Sequence, residues 1–275
     1  MSISAPRYGA APVVRTGRTT RTLAIVRREI VRRSGVGTIV VLALTYLAIT
    51  LILVINTEFA SVTGQLSLTT FETPYSSPIW PFLMLIVAAT AGAGSLAEDV
   101  GNRSITLYLS RPIRLIDYVA AKAAGTGTWL VVAAVGPGLV GLAIIGILGL
   151  APTSLVLTGA GAFLASGLLA AVFFTGLALA LSSLTTRSLY AGVSIFGVVL
   201  SLEIIAPLVS GLTGNTSVAY LSPITDLLSV AQSLFGVSGP FATNPAASAA
   251  ILGVGGVLLA IFAGWRTSRV EVVGE

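Results

Sequence analysis

Ala123–Thr186, AAGTGTWLVVAAVGPGLVGLAIIGILGLAPTSLVLTGAGAFLASGLLAAVFFTGLALALSSLTT, runs without one charged side chain. A bilayer hydrocarbon core is roughly 30 Å thick and a helical residue rises about 1.5 Å, so about 20 apolar residues make one crossing. The stretch is far too long for that and must cross twice. Gly149-Leu-Ala-Pro-Thr153 supplies the turn between the two passes. Barrel strands would alternate polar and apolar residues; this run does not, so the passes are helices.

Working outward, four more apolar runs have spanning length. The six expected spans lie near Val36–Ile55, Ile79–Ala97, Trp129–Leu150, Thr158–Leu181, Ser188–Leu212 and Ala246–Trp265. Composition agrees. Of 275 residues, 55% are hydrophobic and 9% charged, too few charges to clothe a water-soluble core, which needs about 25%. The reading is an all-α integral membrane protein. Cysteine and histidine are absent. Disulfides, cysteine–histidine zinc sites, iron–sulfur clusters and histidine-based catalysis are excluded with them.

Basic residues orient the chain. Eight arginines from Arg7 to Arg33 precede the first span; Arg103, Arg111, Arg114 and Lys122 lie between the second and third. Arg187 lies between the fourth and fifth, and Arg266 and Arg269 follow the sixth. With six crossings all 15 fall on one side, expected to be cytoplasmic, with both termini there. The opposite loops hold Glu58, Glu72 and Asp226. Residues 1–19 read as a basic tail, 20–35 as an amphipathic interfacial helix, 36–265 as one membrane domain and 266–275 as a cytoplasmic tail. On a helical wheel Leu23, Ala24, Val26, Ile30 and Val31 share one arc, facing lipid, while Arg21, Arg28, Glu29, Arg32 and Arg33 share the other, facing water. Such a helix lies flat on the inner leaflet, helped by anionic lipid; the plainer reading is a solvated positive-inside flag. The basic part is too long, and the apolar run behind it too long, for a cleaved secretory signal.

The loop 98–122 holds seven of the 25 charged residues. It reads Glu98-Asp-Val-Gly101-Asn-Arg-Ser-Ile-Thr-Leu-Tyr-Leu-Ser-Arg-Pro-Ile-Arg114 and continues to Tyr118 and Lys122. Gly101 is expected to break the second span and Ser104–Leu109 to form a short helix. Arg111-Pro112 stops it and starts the next helix. The segment is either a cytoplasmic handle for a partner or an ordinary charged loop. An acidic residue, then a glycine, then an apolar stretch ending in Leu-Ser-Arg-Pro-Ile-x-Arg, then Tyr and Lys, resembles the permease subunits of type-two ATP-binding-cassette exporters. The nearest branch is that of the sodium-efflux, bacitracin-export and nitrous-oxide-reductase-maturation permeases.

That resemblance implies a dimer of six-helix permeases in the plasma membrane, homodimeric or heterodimeric, with separate ATPase subunits docked on the loop. It carries the ATPase contact onto Glu98, Gly101, Arg103, Leu107, Leu109, Ser110, Arg111, Pro112, Arg114 and Lys122, with Tyr118 beside them. ATP and magnesium belong to that partner, no cofactor to this chain. No phosphate-loop motif occurs, and the single lysine, Lys122, sits in Ala-Ala-Lys-Ala-Ala, so this chain is not expected to be the enzyme. Membrane lipid is the other expected partner; nucleic acid is not. The competing classes are a gradient-driven transporter or channel and a non-transporting assembly factor, but no internal repeat or charge relay supports the former.

Within the spans Glu203 is the one charged residue. It either lines the substrate route or is a protonated acid hydrogen-bonded to a nearby Ser or Thr. Span glycines are expected to pack helices, with Gly136-Pro137 kinking the third span. Trp80, Trp129, Trp265, Tyr75 and Tyr220 are expected at the interfaces. In the long segment 213–245, Asp226–Phe235 is expected to dip back as a short amphipathic helix, a possible gate.

Overall fold

A computed structural model describes residues 17–76, 79–102, 114–237 and 243–272. Every regular element among them is helical. Six helices are long and apolar enough to cross a bilayer: α2 (Val36–Thr63), α3 (Ile79–Gly101), α4 (Leu115–Ile147), α5 (Thr153–Ser183), α6 (Ser188–Thr213) and α8, whose apolar part is Pro245–Arg269. Ahead of them lies α1 (Arg18–Arg33), and between α6 and α8 lies α7 (Pro223–Leu234). The hydrophobic runs thus fold as the helices that transfer of apolar side chains out of water demands. Gly149 makes the α4–α5 turn in the left-handed conformation, φ 67°, which glycine adopts without a Cβ penalty.

The centre of the bundle is α5, packed against α8 on one side and α4 on the other, with α2 and α1 laid against α4. In lipid no hydrophobic difference drives helices together, so association depends on close fit. At the α5–α8 crossing a Cβ on Gly176 would collide with the Gly256 carbonyl oxygen, and one on Gly256 would stand 2.8 Å from the Val172 carbonyl oxygen. The two backbones meet directly. Helices α2, α6 and α8 keep much of their apolar surface outward, including Leu47, Ile55, Val193, Ile204, Leu208, Val254 and Ile261.

α3 is not a regular helix. It has a π turn at Ala88–Gly92 between α-helical parts Ile79–Val87 and Gly94–Gly101. Below the turn, Ser182 on α5 donates to the Ala93 carbonyl (2.6 Å) and accepts from the amides of Leu96 and Ala97 (2.9 Å each). One hydroxyl therefore ties the irregular backbone that lipid would leave unpaired. Around Pro137 in α4, Tyr46 donates to the Val132 carbonyl (3.0 Å), Thr50 to that of Pro137 (3.3 Å) and Tyr75 to that of Ala134 (2.6 Å).

Two expectations about facing are corrected. Trp80 and Tyr75 do not form an interfacial belt. They are buried, with ring centroids 4.2 Å apart, in a cluster with Phe163 and Phe235. Glu29 and Arg33 of α1, expected to face water, are buried against the bundle with Ile25, while Leu23 and Val31 face outward. The reason lies in α4, which offers α1 a buried lysine.

A short helix does form in the long segment before α8, over Pro223–Leu234 rather than Asp226–Phe235. Ser222 caps α7, accepting from the Thr225 amide (3.0 Å), with Pro223 at the first helical position. Ile224, Leu227, Leu228 and Ala231 are buried in the bundle, and Phe235 follows them into the aromatic cluster.

Replacing Gly176 with leucine should force α5 and α8 apart. We expect a loss of at least about 1–3 kcal/mol, the usual cost of overpacking, seen as a lower midpoint of thermal unfolding in detergent. Replacing Gly161, which has open space around its Cβ position, should leave the midpoint nearly unchanged.

Candidate functional site

Where α1, α3 and α4 converge, three acids and three bases meet. Lys122 on α4 is 1% exposed and lies 2.6 Å from a Glu29 oxygen on α1 and 2.6 Å from an Asp99 oxygen on α3. Arg33 pairs with Glu29 (3.0 Å) and Glu98 (3.1 Å). Arg32 pairs with Asp99 (3.0 Å) and, more closely, with Glu98. Tyr118 donates to Asp99 at 2.7 Å. The formal charges of Glu29, Glu98 and Asp99 balance those of Arg32, Arg33 and Lys122.

Local sequence explains how each arrives. Glu29 and Arg33 are one helical turn apart on α1, and Glu29 is drawn inward because Gly125 leaves room: a Cβ there would stand 2.7 Å from the Glu29 Cβ. Tyr118 and Lys122 are likewise i, i+4 on α4. Trp129, one further stretch along α4, donates its indole N–H to the Ile30 carbonyl (3.2 Å), so α1 is held at two levels. Burial works against the Arg32 charge, but the Asp99 hydrogen bond and the Glu98, Asp99 and Glu29 carboxylates outweigh it and raise the pKa above its ordinary value. The guanidinium stays charged at any physiological pH.

The network brackets the inner loop: Glu98 and Asp99 stand just before it and Tyr118 and Lys122 just after. Of the residues assigned to partner contact, Arg103, Leu107, Leu109, Ser110, Arg111 and Pro112 lie outside the described residues. Arg114 is exposed ahead of α4. α3 ends at Gly101, with Asn102 as its C-cap. A Cβ at Gly101 would strike the Thr186 carbonyl oxygen, so this glycine lets α3 meet the α5–α6 turn that bears Arg187. Lys122 is buried in ion pairs and its side chain is not presented at a partner surface; it holds the scaffold instead. Glu29, Arg32 and Arg33 were read only as helix-face charges, because their partners stand 65 to 93 residues away in sequence.

At the opposite end of the bundle, Glu203 on α6 is half-buried and accepts hydrogen bonds from Thr225 (3.2 Å) and, more closely, from Ser222. It is satisfied by hydroxyls of the α7 cap. Among the described residues no group of three or more Asp, Glu, His or Cys gathers that could hold a metal ion.

Removing one member of a buried ion pair leaves its partners uncompensated at a cost of about 3–5 kcal/mol. Lys122→Met should therefore lower the thermal midpoint strongly. Adding Glu29→Gln should recover part of the loss, since one of the two stranded carboxylates is then neutral. Equal midpoints for the single and double variants would show that Lys122 and Glu29 are not coupled.

Residues 30–267 match the family model described as ABC-2 family transporter protein, a span that begins in α1 and ends in α8. No curated protein matches the chain. With well over half of the sequence inside that match and six membrane-length helices, the chain belongs to the ABC-2 transporter family and is a transmembrane permease of an ABC transporter.

Proposed function

We propose that this permease exports its substrate from the cytoplasm as one half of a dimer, homo- or heterodimeric, in the plasma membrane, driven by separate ATPase subunits that dock on loop 98–122. Family membership supports the ATPase partner and the dimeric arrangement in general terms. The observation that carries the finer reading is the buried ion network. It joins both flanks of the loop to α1, so force applied at the loop is delivered to α1, α3 and α4 together rather than absorbed by bending one connection.

In this reading the nucleotide and its magnesium stay on the partner. Arg103, Arg111 and Arg114, with Leu107, Leu109, Ser110 and Pro112, offer charge and apolar contact to the ATPase, while Glu98 and Lys122 hold the handle to the bundle. Both termini and the loop lie in the cytoplasm, as the arginine distribution implies. The apolar outward faces of α2 and α6 are the surfaces available to the second permease. Few charges face the bundle interior away from the network, which favours an apolar or amphipathic cargo over a small ion.

The test is purification of the native complex followed by charge reversal. A P-loop ATPase should co-purify, and Arg111→Glu with Arg114→Glu should reduce transport at least tenfold while the permease keeps its thermal midpoint and the ATPase retains its basal hydrolysis. Transport by the permease alone in ATP-free liposomes would overturn the proposal.

A further inference from the structure

The end of the bundle opposite the ion network holds a second pair of acids in a different electrostatic setting. Asp226, one turn into α7, is 0% exposed. Ser248 on α8 donates to its Oδ1 at 2.5 Å, and its Oδ2 has no hydrogen-bond partner. Glu203 on α6 is held by Ser222 and Thr225 from the first turn of the same helix. The chain has no lysine or arginine between Arg187 and Arg266. Along α6, Arg187 is about 24 Å from Glu203 at 1.5 Å per residue, and along α8, Arg266 is about 27 Å from Ser248. Among the described residues nothing basic neutralises Asp226 as Lys122 neutralises Asp99.

The other elements packed on α7 do not change this. α5 carries no titratable side chain. The short helix Thr73–Ser76 brings Tyr75, whose hydroxyl is engaged with the Ala134 carbonyl, and follows Glu72. Thr216–Leu221 brings Tyr220, which accepts from the Asn244 amide (2.8 Å). α6 brings Glu203, and α8 brings Ser248. Among the described residues the charge that acts on Asp226 is therefore another carboxylate. A buried anion with one orphaned oxygen and a like charge beside it is unstable, and a proton removes that instability by leaving a neutral carboxyl on the Ser248 hydroxyl.

We propose that Asp226 is a proton-binding site that latches α7 to α8 on the side of the membrane opposite the ion network: protonated Asp226 holds the re-entrant helix down, and its ionisation releases it. The acid responds accordingly. Burial raises its pKa, the Ser248 hydrogen bond pulls it down and the Glu203 charge raises it further, to about 6. Released into water, the same carboxyl returns to the ordinary range near 4. The sign follows from the raised value. Latching is at full strength below about pH 4, weakens as pH rises from about 4 to about 6, and is constant above that, a change of roughly 100-fold at about two pKa units.

The chain has no cysteine, so a single introduced thiol reports on α7 without background. Ser229→Cys places one at a buried position of α7 and Ser233→Cys at an exposed one. In proteoliposomes, an impermeant maleimide should label Ser229→Cys relative to Ser233→Cys at a ratio that climbs with pH from 4 to 6 and then levels. Asp226→Asn should flatten the ratio. Glu203→Gln removes the neighbouring charge and should shift the midpoint to lower pH, while Ser248→Ala removes the donor and should shift it to higher pH. These opposite shifts keep the test decisive if Asp226→Asn does not fold. A ratio independent of pH, or an unmoved midpoint in both neighbours, overturns the latch. The readout needs no ATPase, so it stands or falls apart from the proposed function.

Discussion

Three carboxylates and three cations, four of the six taken out of water, set the geometry of one end of this protein. Desolvating Glu29, Asp99, Arg33 or Lys122 alone would cost several kcal/mol, and their mutual contacts repay that only while all are in place, with Arg32 and Glu98 closing the set at its wetter edge. The constraint is directional. It fixes the rotation of α1 about its axis, the depth at which α1 meets α4 and the point where α3 ends. A greasy contact between the same helices would tolerate sliding; a set of ion pairs between 2.6 and 3.1 Å, each with a second partner, does not.

The rest of the bundle is assembled by fit rather than by charge. Lipid tails are as apolar as leucine, so α5 gains its central position from backbones that come close where glycine permits it, and from hydroxyls that settle polar groups lipid cannot. Ser182 is the clearest case, because a single side chain joins α5 to α3 just below the π turn. Irregular backbone at this depth is thereby tied to the same part of α3 that carries Glu98 and Asp99. A shift of the inner loop would reach the π turn within two helical turns.

The two ends of the molecule handle buried acids in opposite ways. Asp99 has Lys122, Arg32 and Tyr118 around it; Asp226 has one serine and a neighbouring carboxylate. The first arrangement gives every carboxylate a cationic partner and suits a rigid connection. The second depends on a proton and suits a segment that has to move. Few other ionisable groups lie between them, so the bundle's middle contributes little to either response.

The number of crossings, their approximate ends, a helix ahead of the first crossing and a short helix before the last were all legible in the residues. Each follows from how long an apolar run is, or from proline, glycine and serine at its ends, and those are local quantities. What the residues one after another did not determine is which way the polar groups turn. Glu29 looked like a water-facing residue because its partner is 93 positions away, and Trp80 looked like an interfacial anchor because the aromatic ring it stacks on belongs to a connecting segment. Only the tertiary structure decided these, since helical periodicity says which residues share a face but not what that face meets. The meeting is chosen by the balance between desolvation and pairing across helices, and that balance exists only once the helices are packed.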